Sequence, residues 1–480
     1  MQEAESLLAR GNKLFPKNSA ILSPEKSISF AEFSVLYNQL SQAFSGIGIQ
    51  PGQRVAFLCR NSWQTVVLQH ALIEYGAVCV ALNTRNPAKE LQQAIKTVSP
   101  IFLFYDATLA NSSLTTTPAA EICDFFLSLQ NFAEKNIPEQ VKNFHRLATI
   151  IFTSGSSAQP KLAIHSFANH FYSAEGSNTN IALSPGDRWL LSLPLYHVGG
   201  QAILWRTMLA GACIVIADEK RSLLQNIADY SITHLSLVAT QLHRLLQEKG
   251  AIAALRKCKA LLLGGSAIPA SLLETAIQSG LPIHTSYGST EMSSQITTTS
   301  PGAGWDELRS SGHVLPGRDV KIDKNGEVLV RGKTRFMGYW AEGNIVDTFD
   351  KEGYFQTGDL GYFDEHTRLV VLGRKDNMFI SGGENIQPEE IENALMEIDG
   401  VDAAIVVPVA DRQFGQRPIA FVRWKFDAKP DEQIVKHLRQ IIAAYKIPDR
   451  FFAWPQDVND EQLKLNRLFF EGKAEEMLRS

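Results

Sequence analysis

Cysteine is scarce in this sequence: it occurs five times in 480 residues, and no two cysteines form a C-x-x-C pair. Cysteine-based metal sites and redox motifs use closely spaced pairs, so the sequence predicts neither. The five thiols lie mostly among apolar neighbours, as reduced cysteines do in the core of a cytoplasmic protein. They are Cys59, Cys79, Cys123, Cys213 and Cys258.

Long apolar runs are also missing. A helix needs about 20 consecutive apolar residues to cross a bilayer, and the stretch "ALIEYGAVCVAL" is shorter and is interrupted by Glu74. The first residues, "MQEAESLLARGNK", carry acidic side chains early and lack the apolar core of a signal peptide. We therefore predict a cytoplasmic protein that does not insert into membranes.

An excess of positive charge is absent as well. The 46 Lys and Arg residues are outnumbered by 50 Asp and Glu, which gives a formal net charge of −4. Non-specific nucleic-acid binding needs a basic surface, so we predict no nucleic-acid partner and expect small-molecule substrates instead. The composition does not decide the oligomeric state, and a homodimer is one of the alternatives left open.

What the chain does contain is an alternation of strand and helix patterns. Up to about residue 370, apolar runs such as "RVAFLC" and "AVCVALN" precede helical patterns such as "SWQTVVLQHALIEYG" and "PAKELQQAIKTV". This alternation predicts an α/β fold of layered, mainly parallel sheets with helices. Short strands between about 311 and 372 predict a small β subdomain. A shift to an α+β pattern at "GRKD" predicts two domains, 1–374 and 375–480.

One loop has the composition of a phosphate-binding site. The segment "TSGSSAQPK" (153–161) separates the apolar runs "LATII" and "LAIH", and we predict that it forms the tip of a β-hairpin. Small residues let backbone N–H groups converge on an anion, hydroxyls add donors, and Lys161 adds positive charge. A strand rather than a helix follows the lysine, so this is not a Walker A loop. Taken alone, the loop fits a polyphosphate site and an ordinary exposed turn.

Further polar clusters follow apolar runs later in the chain. They are "LLLGGSAIP" (261–269), "TSYGSTEMSS" (285–294), "FQTGDLGYF" (355–363), "VLGRKDNMFISGGENIQPEEIE" (371–392) and "QLKLNRLFF" (462–470). Singly, each is an ordinary turn. In this order, and with the loop at 153–161, they resemble the adenylate-forming superfamily of acyl-CoA synthetases, luciferases and peptide-synthetase adenylation domains. The resemblance spans nearly the whole chain and implies a large N-terminal domain and a small, mobile C-terminal domain.

The resemblance implies a ligase that uses ATP, Mg²⁺ and CoA. A carboxylate attacks the α-phosphate of ATP to give an acyl-adenylate and pyrophosphate, and the CoA thiol then displaces AMP. Because one anion attacks another, such a site must neutralise charge and hold the reactants in position. The residues implied at the nucleotide are Thr153, Ser154, Gly155, Ser156, Ser157 and Lys161 at the phosphates, Gly265, Ser266, Ala267, Tyr287 and Gly288 at the adenine, Asp359 and Arg374 at the ribose, Thr290 at the α-phosphate, and Glu291 at Mg²⁺.

The C-terminal part is implied to supply the catalytic lysine and the path of CoA. Lys464 in "KLNRL" matches the lysine that bridges the carboxylate and the α-phosphate during adenylation. The sequence departs from the superfamily at Gln462–Leu463, where a small residue and a glycine are usual, and a surface lysine is the alternative. The resemblance also implies a hinge at Asp376 and a turn, Gly382–Gly383, that lines the approach of the CoA thiol after the small domain rotates.

Several segments are similar to one subfamily, the 2-succinylbenzoate–CoA ligases of menaquinone biosynthesis. They are "LPLYHVGGQAILWRTMLAGA" (193–212), "THLSLVATQLHRLL" (233–246), "LPGRDVKI" (315–322), "SGGENIQPEEIE" (381–392) and "VVPVADRQFGQRPIA" (406–420). This similarity implies that the succinyl carboxylate is adenylated, while the aromatic carboxylate must be recognised without reacting.

The substrate prediction depends on Arg206, which stands among apolar and small residues of a predicted helix. Its side chain either reaches outward to water or is held inside for an anion. A guanidinium offers paired donors that match a carboxylate. The resemblance also implies Ser236 as a supporting hydroxyl and Gln201 as a further substrate contact. His197 is implied as the gate beside the acyl pocket, and with Lys464 and Thr290 it makes up the predicted catalytic set.

Three rival functions remain open at this point. A CoA ligase for another aromatic acid would find a buried charge in its pocket costly, so it should not hold Arg206 there. A peptide-synthetase-type adenylation domain would feed a carrier domain and would anchor its amino acid with an aspartate near Ser236; neither feature is apparent. A non-catalytic relative would have lost Lys464, Asp359 or Glu291, and all three are present.

Overall fold

A computed structural model describes residues 3–4, 6–109, 117–132, 142–153, 161–265, 268–341, 343–456, 458 and 467–479. Up to Thr153 the elements are β1 (Glu3–Ala4), α1 (Leu7–Leu14), β2 (Ser19–Leu22), β3 (Ser27–Ser29), α2 (Phe30–Gly46), β4 (Arg54–Leu58), α3 (Trp63–Tyr75), β5 (Val78–Ala81), α4 (Ala88–Val98), β6 (Phe102–Tyr105), β7 (Ala119–Glu121), α5 (Ile122–Ser128), β8 (Lys142–Asn143) and β9 (Leu147–Thr153).

The middle of the chain continues the alternation. Its elements are β10 (Lys161–Ser166), α6 (Phe167–Asn180), β11 (Arg188–Leu190), α7 (Val198–Ala210), β12 (Cys213–Val215), α8 (Leu223–Asp229), β13 (His234–Leu237), α9 (Ala239–Leu246), α10 (Ala251–Leu255), β14 (Ala260–Leu263), α11 (Ala270–Gln278), β15 (Ile283–Ser289), β16 (Ser294–Thr298), α12 (Trp305–Leu308) and β17 (His313–Val314).

The last third is richer in short strands. Its elements are β18 (Arg318–Ile322), β19 (Glu327–Gly332), β20 (Gly338–Ala341), β21 (Asn344–Val346), β22 (Phe355–Phe363), β23 (Leu369–Arg374), β24 (Phe379–Ser381), β25 (Glu384–Ile386), α13 (Pro388–Met396), β26 (Val401–Asp411), β27 (Gly415–Trp424), α14 (Asp431–Leu438), β28 (Arg450–Ala453) and α15 (Arg467–Arg479).

Two large sheets position the site. One has the strand order β21-β20-β10-β9-β5-β4-β6-β7, and the other has the order β17-β16-β15-β14-β13-β11-β12-β2-β3. Their central strands run parallel, with Val55 beside Cys79 in the first sheet and Leu235 beside Leu261 in the second. Parallel strands are covered on both faces, which explains their nearly continuous apolar runs. The predicted α/β fold class is confirmed.

Two smaller sheets follow in the chain. The first, β18-β19-β22-β23, is antiparallel and forms the predicted β subdomain. The second, β25-β24-β27-β26 with β28 beside β27, packs against α13, α14 and α15. Within the described ranges, no helix combines the length and the apolar character that crossing a bilayer requires. Four of the five cysteines are buried free thiols as predicted, whereas Cys123 is exposed.

Some histidines are buried in the core, where an imidazolium would be poorly solvated. His70 is 4% exposed, and its ring packs edge to face on Phe33 with 5.9 Å between the ring centres. Burial lowers the pKa of His70 to about 3. Between that value and the ordinary pKa of histidine, near 6.5, the unfolded chain binds the proton and the folded chain does not. Stability must therefore fall as the pH drops through this window.

We expect His70→Gln to reduce this loss of stability in acid. Between about pH 7.5 and about pH 5.5, the free energy of unfolding should fall by about 1.4 kcal/mol for a histidine with these two pKa values. Urea unfolding of the wild type and the variant at both pH values measures the difference. His366→Gln, at an exposed histidine, is the control and should behave like the wild type. An equal pH dependence in wild type and His70→Gln would contradict the argument.

Candidate active site

The loop at 153–161 joins two antiparallel strands, as predicted. Thr153 at the end of β9 lies opposite Lys161 at the start of β10, so a strand does follow the lysine. Residues Ser154, Gly155, Ser156 and Ser157, which were predicted to bind phosphate, lie outside the described residues. The described flanks therefore fix the two ends of the loop, and its phosphate contacts stay a prediction.

Lys161 lies beside the predicted metal carboxylate, with one tyrosine between them. Its Nζ is 5.1 Å from the centre of the Tyr339 ring, and the Tyr339 hydroxyl donates to Glu291 Oε1 at 2.7 Å. Burial and the charge of Glu291 raise the pKa of Tyr339, so its hydroxyl keeps its proton and acts as the donor. The backbone N–H of Phe336 donates to the Glu291 carbonyl at 2.7 Å and holds the same turn.

A neutral histidine forms a hydrogen bond to the backbone of Thr290. The residue starts a short 3₁₀ turn after β15, and His165 Nε2 donates to the Thr290 carbonyl at 2.7 Å. Burial lowers the pKa of His165 to about 4, which leaves the ring neutral near pH 7. Strand β16 passes so close to Gly288 that only glycine fits there, because a Cβ would overlap the Ser294 carbonyl.

The residues predicted at the ribose and the adenine are in contact. Asp359 on β22 lies opposite Arg374 on β23. Arg374 Nη1 donates to Asp359 Oδ1 at 3.1 Å and to the Thr357 carbonyl at 2.7 Å. The Tyr287 hydroxyl donates to Asp359 Oδ2 at 2.6 Å. Burial and the charge of Asp359 raise the pKa of Tyr287.

The glycine-rich turn after β14 lies on the same edge of the nine-stranded sheet. Leu263 of β14 pairs with Thr285 of β15, so the two turns that follow these strands are neighbours. Gly265 has a φ of +86°, a left-handed conformation that favours glycine. Ser266 and Ala267 lie outside the described residues, so their place beside the purine stays a prediction.

Helix α7 decides the position of Arg206. Every residue from Gly200 to Met208 is buried, so the helix has no solvent face that a long side chain could reach. Arg206 itself is 1% exposed. The outward-reaching alternative is therefore wrong, and the guanidinium is held inside the protein.

A serine hydroxyl and a tryptophan ring lie next to the Arg206 side chain. Its Nη2 donates to Ser294 Oγ at 3.2 Å, and its guanidinium carbon is 5.3 Å from the centre of the Trp189 ring. The indole N–H of Trp189 donates to Ser236 Oγ at 3.2 Å, which brings the two predicted substrate residues to one tryptophan. The Nε of Arg206 has no partner, and no carboxylate among the described residues pairs with this arginine.

This environment destabilises the charged form of Arg206. Burial, together with the positive charge of Arg318, lowers the pKa of Arg206 to about 9. That value is still above neutral pH, so the side chain remains charged. An incoming anion would find an unpaired donor and an uncompensated positive charge.

The other two predicted acyl-site residues stand at the start of α7. His197 immediately precedes the helix, is half-buried and packs edge to face on Tyr196 at 4.6 Å. Gln201 is buried, and its amide is used within the protein: Nε2 donates to the Leu195 carbonyl at 2.5 Å and Oε1 accepts from Gln69. These bonds hold the turn before α7, and a substrate contact by Gln201 stays a prediction.

The C-terminal part supplies a glycine turn and a fixed arginine. Gly382–Gly383 have φ values of +59° and +89° and lie exposed at the tip of the β24–β25 hairpin. Asp376 Oδ2 is 3.3 Å from Arg374 Nη2. Lys464 lies outside the described residues. Arg467, the arginine of the same "KLNRL" motif, donates to Glu392 Oε1 at 2.6 Å. This ion pair gives the arginine of the motif a structural role.

Sequence reasoning missed the residues that hold the site from behind. Tyr339, His165 and Trp189 each touch a predicted residue, but none stands in a motif with a chemical signature. Tyr339 follows Gly338 in "MGYW", and His165 follows an apolar run. Only the pairing of distant strands shows that these side chains converge.

Two family comparisons cover most of the chain. Residues 8–340 match the AMP-binding enzyme family, and residues 390–459 match the AMP-binding enzyme C-terminal domain. A curated 2-succinylbenzoate–CoA ligase of Escherichia coli (strain K12) is 34% identical over 443 residues, covering 92% of each chain. The ligase of the same name from Bacillus cereus is 32% identical over 478 residues, covering 97% of each.

Solved structures agree with this relationship. The o-succinylbenzoate CoA synthetase of Bacillus subtilis in complex with its acyl-adenylate intermediate superposes with a TM-score of 0.88 at 27% identity, covering 98% of this chain and 99% of that one. The same enzyme in complex with ATP and magnesium ion gives a TM-score of 0.87 at 28% identity, covering 97% and 99%.

The unpaired charge of Arg206 leads to a prediction about stability. Arg206→Met removes one hydrogen bond together with a buried charge that has no counter-ion in the described part of the chain, so we expect an unchanged or higher free energy of unfolding. Arg467→Met is the matched control, because it leaves Glu392 without its partner and should cost about 3 kcal/mol. Urea unfolding measures both variants. If Arg206→Met destabilised the protein as strongly as Arg467→Met, the charge of Arg206 would have to be compensated by another group of the protein itself.

Proposed function

Because the chain belongs to the AMP-binding enzyme family, we propose that it is a 2-succinylbenzoate–CoA ligase. It activates the succinyl carboxylate with ATP, releases pyrophosphate, and passes the acyl group to the thiol of CoA with release of AMP. The name shared by its full-length relatives supports this activity, which belongs to menaquinone biosynthesis. The single observation that carries the choice of acid is the buried, unpaired guanidinium of Arg206.

The acid has two carboxylates, and Arg206 suits the one that does not react. A planar guanidinium can give a carboxylate two parallel hydrogen bonds, and Arg206 has an unpartnered Nε. Ser236, on the other side of Trp189, supplies a hydroxyl to the same region. In a ligase for a simple benzoate, no second carboxylate of the substrate would compensate the unfavourable burial of this charge.

The nucleotide is proposed to lie along the ends of β9, β14, β15 and β23 and beside Asp359 in the middle of β22. The loop after Thr153 and Lys161 holds the β- and γ-phosphates, and Tyr287 with Gly265 bounds the adenine. Asp359 and Arg374 receive the ribose hydroxyls. In this arrangement the cations face the phosphates and the carboxylate faces hydroxyl donors, as charge complementarity requires.

Thr290 and Glu291 are proposed to act at the reacting phosphate. The Thr290 hydroxyl donates to the α-phosphate, and His165 keeps the Thr290 backbone in place. Glu291 is suited to Mg²⁺, because among the described residues its side chain carries a single hydrogen bond, from Tyr339. Bound Mg²⁺ would neutralise phosphate charge, and it takes one or two carboxylates together with phosphate oxygens.

The second half-reaction is assigned to a rotated small domain. We place the domain boundary after residue 374, where the last strand of the four-stranded sheet ends, and the hinge at Asp376. Rotation would withdraw Lys464 and bring Gly382–Gly383 to the acyl group, with His197 beside the pocket. All five cysteines are free thiols, which supports a cytoplasmic location. A homodimer remains one of the open alternatives.

The choice of acid is tested with two compounds that differ in one group. Benzoylpropionate lacks only the ring carboxylate of 2-succinylbenzoate. We expect Arg206→Gln to lower kcat/KM for 2-succinylbenzoate by about 100-fold or more in a pyrophosphate-release assay, because the ring carboxylate loses its charged partner. Activity with benzoylpropionate should change little.

Arg256→Gln is the control for this experiment, because Arg256 is exposed and its Nε donates to the backbone carbonyl of Ser279 at the surface. It should leave both activities unchanged. A wild-type enzyme that used benzoate or a fatty acid but not 2-succinylbenzoate would show that the assigned substrate is wrong.

The division of labour between the half-reactions gives a second test. Lys464→Ala should slow adenylation by about 1,000-fold or more, since the ammonium is needed while negative charge builds at the α-phosphate. Thioester formation from supplied acyl-AMP should be largely kept. The two half-reactions are measured separately, with Lys436→Ala on the exposed face of α14 as control. Equal loss in both half-reactions would contradict the assigned role.

A further inference from the structure

A second arginine, Arg318, is buried close to the acid-binding region. It begins β18 and is 8% exposed. Its Nε donates to the Gln295 carbonyl at 3.0 Å, and its Nη1 donates to the carbonyls of Pro316 at 2.7 Å and Tyr172 at 3.3 Å. Its Nη2 donates to the Ser173 carbonyl and hydroxyl at 3.1 and 3.3 Å. All the acceptors found for it among the described residues are neutral. Its N–H groups are therefore hydrogen-bonded, but its positive charge has no negative partner there.

Helix α6 is shaped to admit this guanidinium. Gly176 stands inside the helix, where glycine is unfavourable. A Cβ at Gly176 would overlap Nη1 of Arg318 and the Pro316 carbonyl. Glycine at this position lowers the stability of the helix, but it leaves room for the guanidinium of Arg318.

Arg206 and Arg318 hold the same short segment from two directions. Arg206 donates to Ser294 Oγ, and Arg318 donates to the carbonyl of Gln295, the next residue. Ser173, which Arg318 also contacts, donates to the Ser293 carbonyl at 2.6 Å. Ser293 and Ser294 have φ values of 55° and 105°, which are unusual for residues other than glycine. This strained segment is held between two cations.

The two positive charges share one region from which water is excluded. Among the described residues, neither arginine has a carboxylate within ion-pair distance, although many other arginines do. The charge of Arg318 adds to burial in lowering the pKa of Arg206. Like charges in a poorly screened region repel each other, and an anion bound at Arg206 would relieve that repulsion.

We propose that Arg318 is a specificity-determining residue that makes the acid pocket select a dianionic acid over a monoanionic one. Arg206 makes the contact, and Arg318 contributes positive potential from behind the Ser293–Gln295 segment without touching the acid. This inference rests on the proposed function. It differs from a purely structural role, in which Arg318 would only clamp α6, β16 and β18 together.

Two substitutions separate charge from clamping. Arg318→Gln and Arg318→Lys both destroy the five-bond geometry, but only the lysine keeps the charge. The readout is the ratio of kcat/KM for 2-succinylbenzoate to that for benzoylpropionate in pyrophosphate release. A structural defect lowers both values and leaves the ratio unchanged. The control is Arg54→Gln, which removes another arginine bonded to backbone carbonyls, at the start of β4 in the eight-stranded sheet.

We expect Arg318→Gln to lower the ratio at least about tenfold, chiefly through a higher KM for 2-succinylbenzoate. Arg318→Lys should keep the ratio within about threefold of the wild type, and Arg54→Gln should not change it. An unchanged ratio in Arg318→Gln, or an equal fall in Arg318→Lys, overturns the inference and leaves the proposed function standing. A wild-type enzyme inactive with 2-succinylbenzoate overturns both.

Arg318→Gln removes five hydrogen bonds, so a second pair of variants keeps the arginine and changes only its net charge environment. Ser173, whose hydroxyl accepts from Arg318 Nη2 at 3.3 Å, is replaced by aspartate, which would pair with the guanidinium, or by the uncharged asparagine of the same shape. If Arg318→Gln does not fold, these two decide: a ratio in Ser173→Asp at least about threefold below that in Ser173→Asn supports the inference, and equal ratios overturn it.

Discussion

The site must bring several anions together, and the electrostatic cost of doing so is the constraint on which the rest of the structure depends. The acid and the triphosphate repel each other, so positive charge has to be in place before they bind. We propose that the protein meets this need in two different ways. At the proposed nucleotide site, charged side chains are paired, as Arg374 is with Asp359. At the proposed acid site, Arg206 is buried and has no ion-pair partner among the described residues.

The framework explains why both arrangements are tolerated. The turns that follow β14 and β15 meet at one edge of the nine-stranded sheet, and the four-stranded sheet brings Asp359 and Arg374 to the same place. These groups stay partly exposed, so water and partners share the cost of their charge. Helix α7, by contrast, is buried along most of its length. A guanidinium on that helix is therefore kept out of contact with water.

Much of this could be predicted from the sequence, because the signals were local. The strand–helix alternation predicted the sheets, and the apolar runs on either side of residues 153–161 predicted the hairpin. The resemblance implied that Tyr287 and Asp359 serve the same nucleotide, whereas the direct hydrogen bond between them is a finding of the structure. The side chain of Arg206 could not be placed, since the same helix fits an outward or an inward arginine until its neighbours are known. Tyr339 and His165 were missed because their roles arise from side-chain hydrogen bonds to residues that lie 48 and 125 positions away in the chain.

The buried charge of Arg206 also bears on how such a protein changes under selection. Random mutation followed by a screen for heat resistance favours substitutions that remove an unfavourable internal interaction. Arg206 is such a position, because it is buried and its Nε has no partner among the described residues. If Arg206 binds the acid as proposed, selection for stability alone would favour its loss and would abolish the discrimination among acids. Its presence is then explained by selection for the substrate and not by selection for stability.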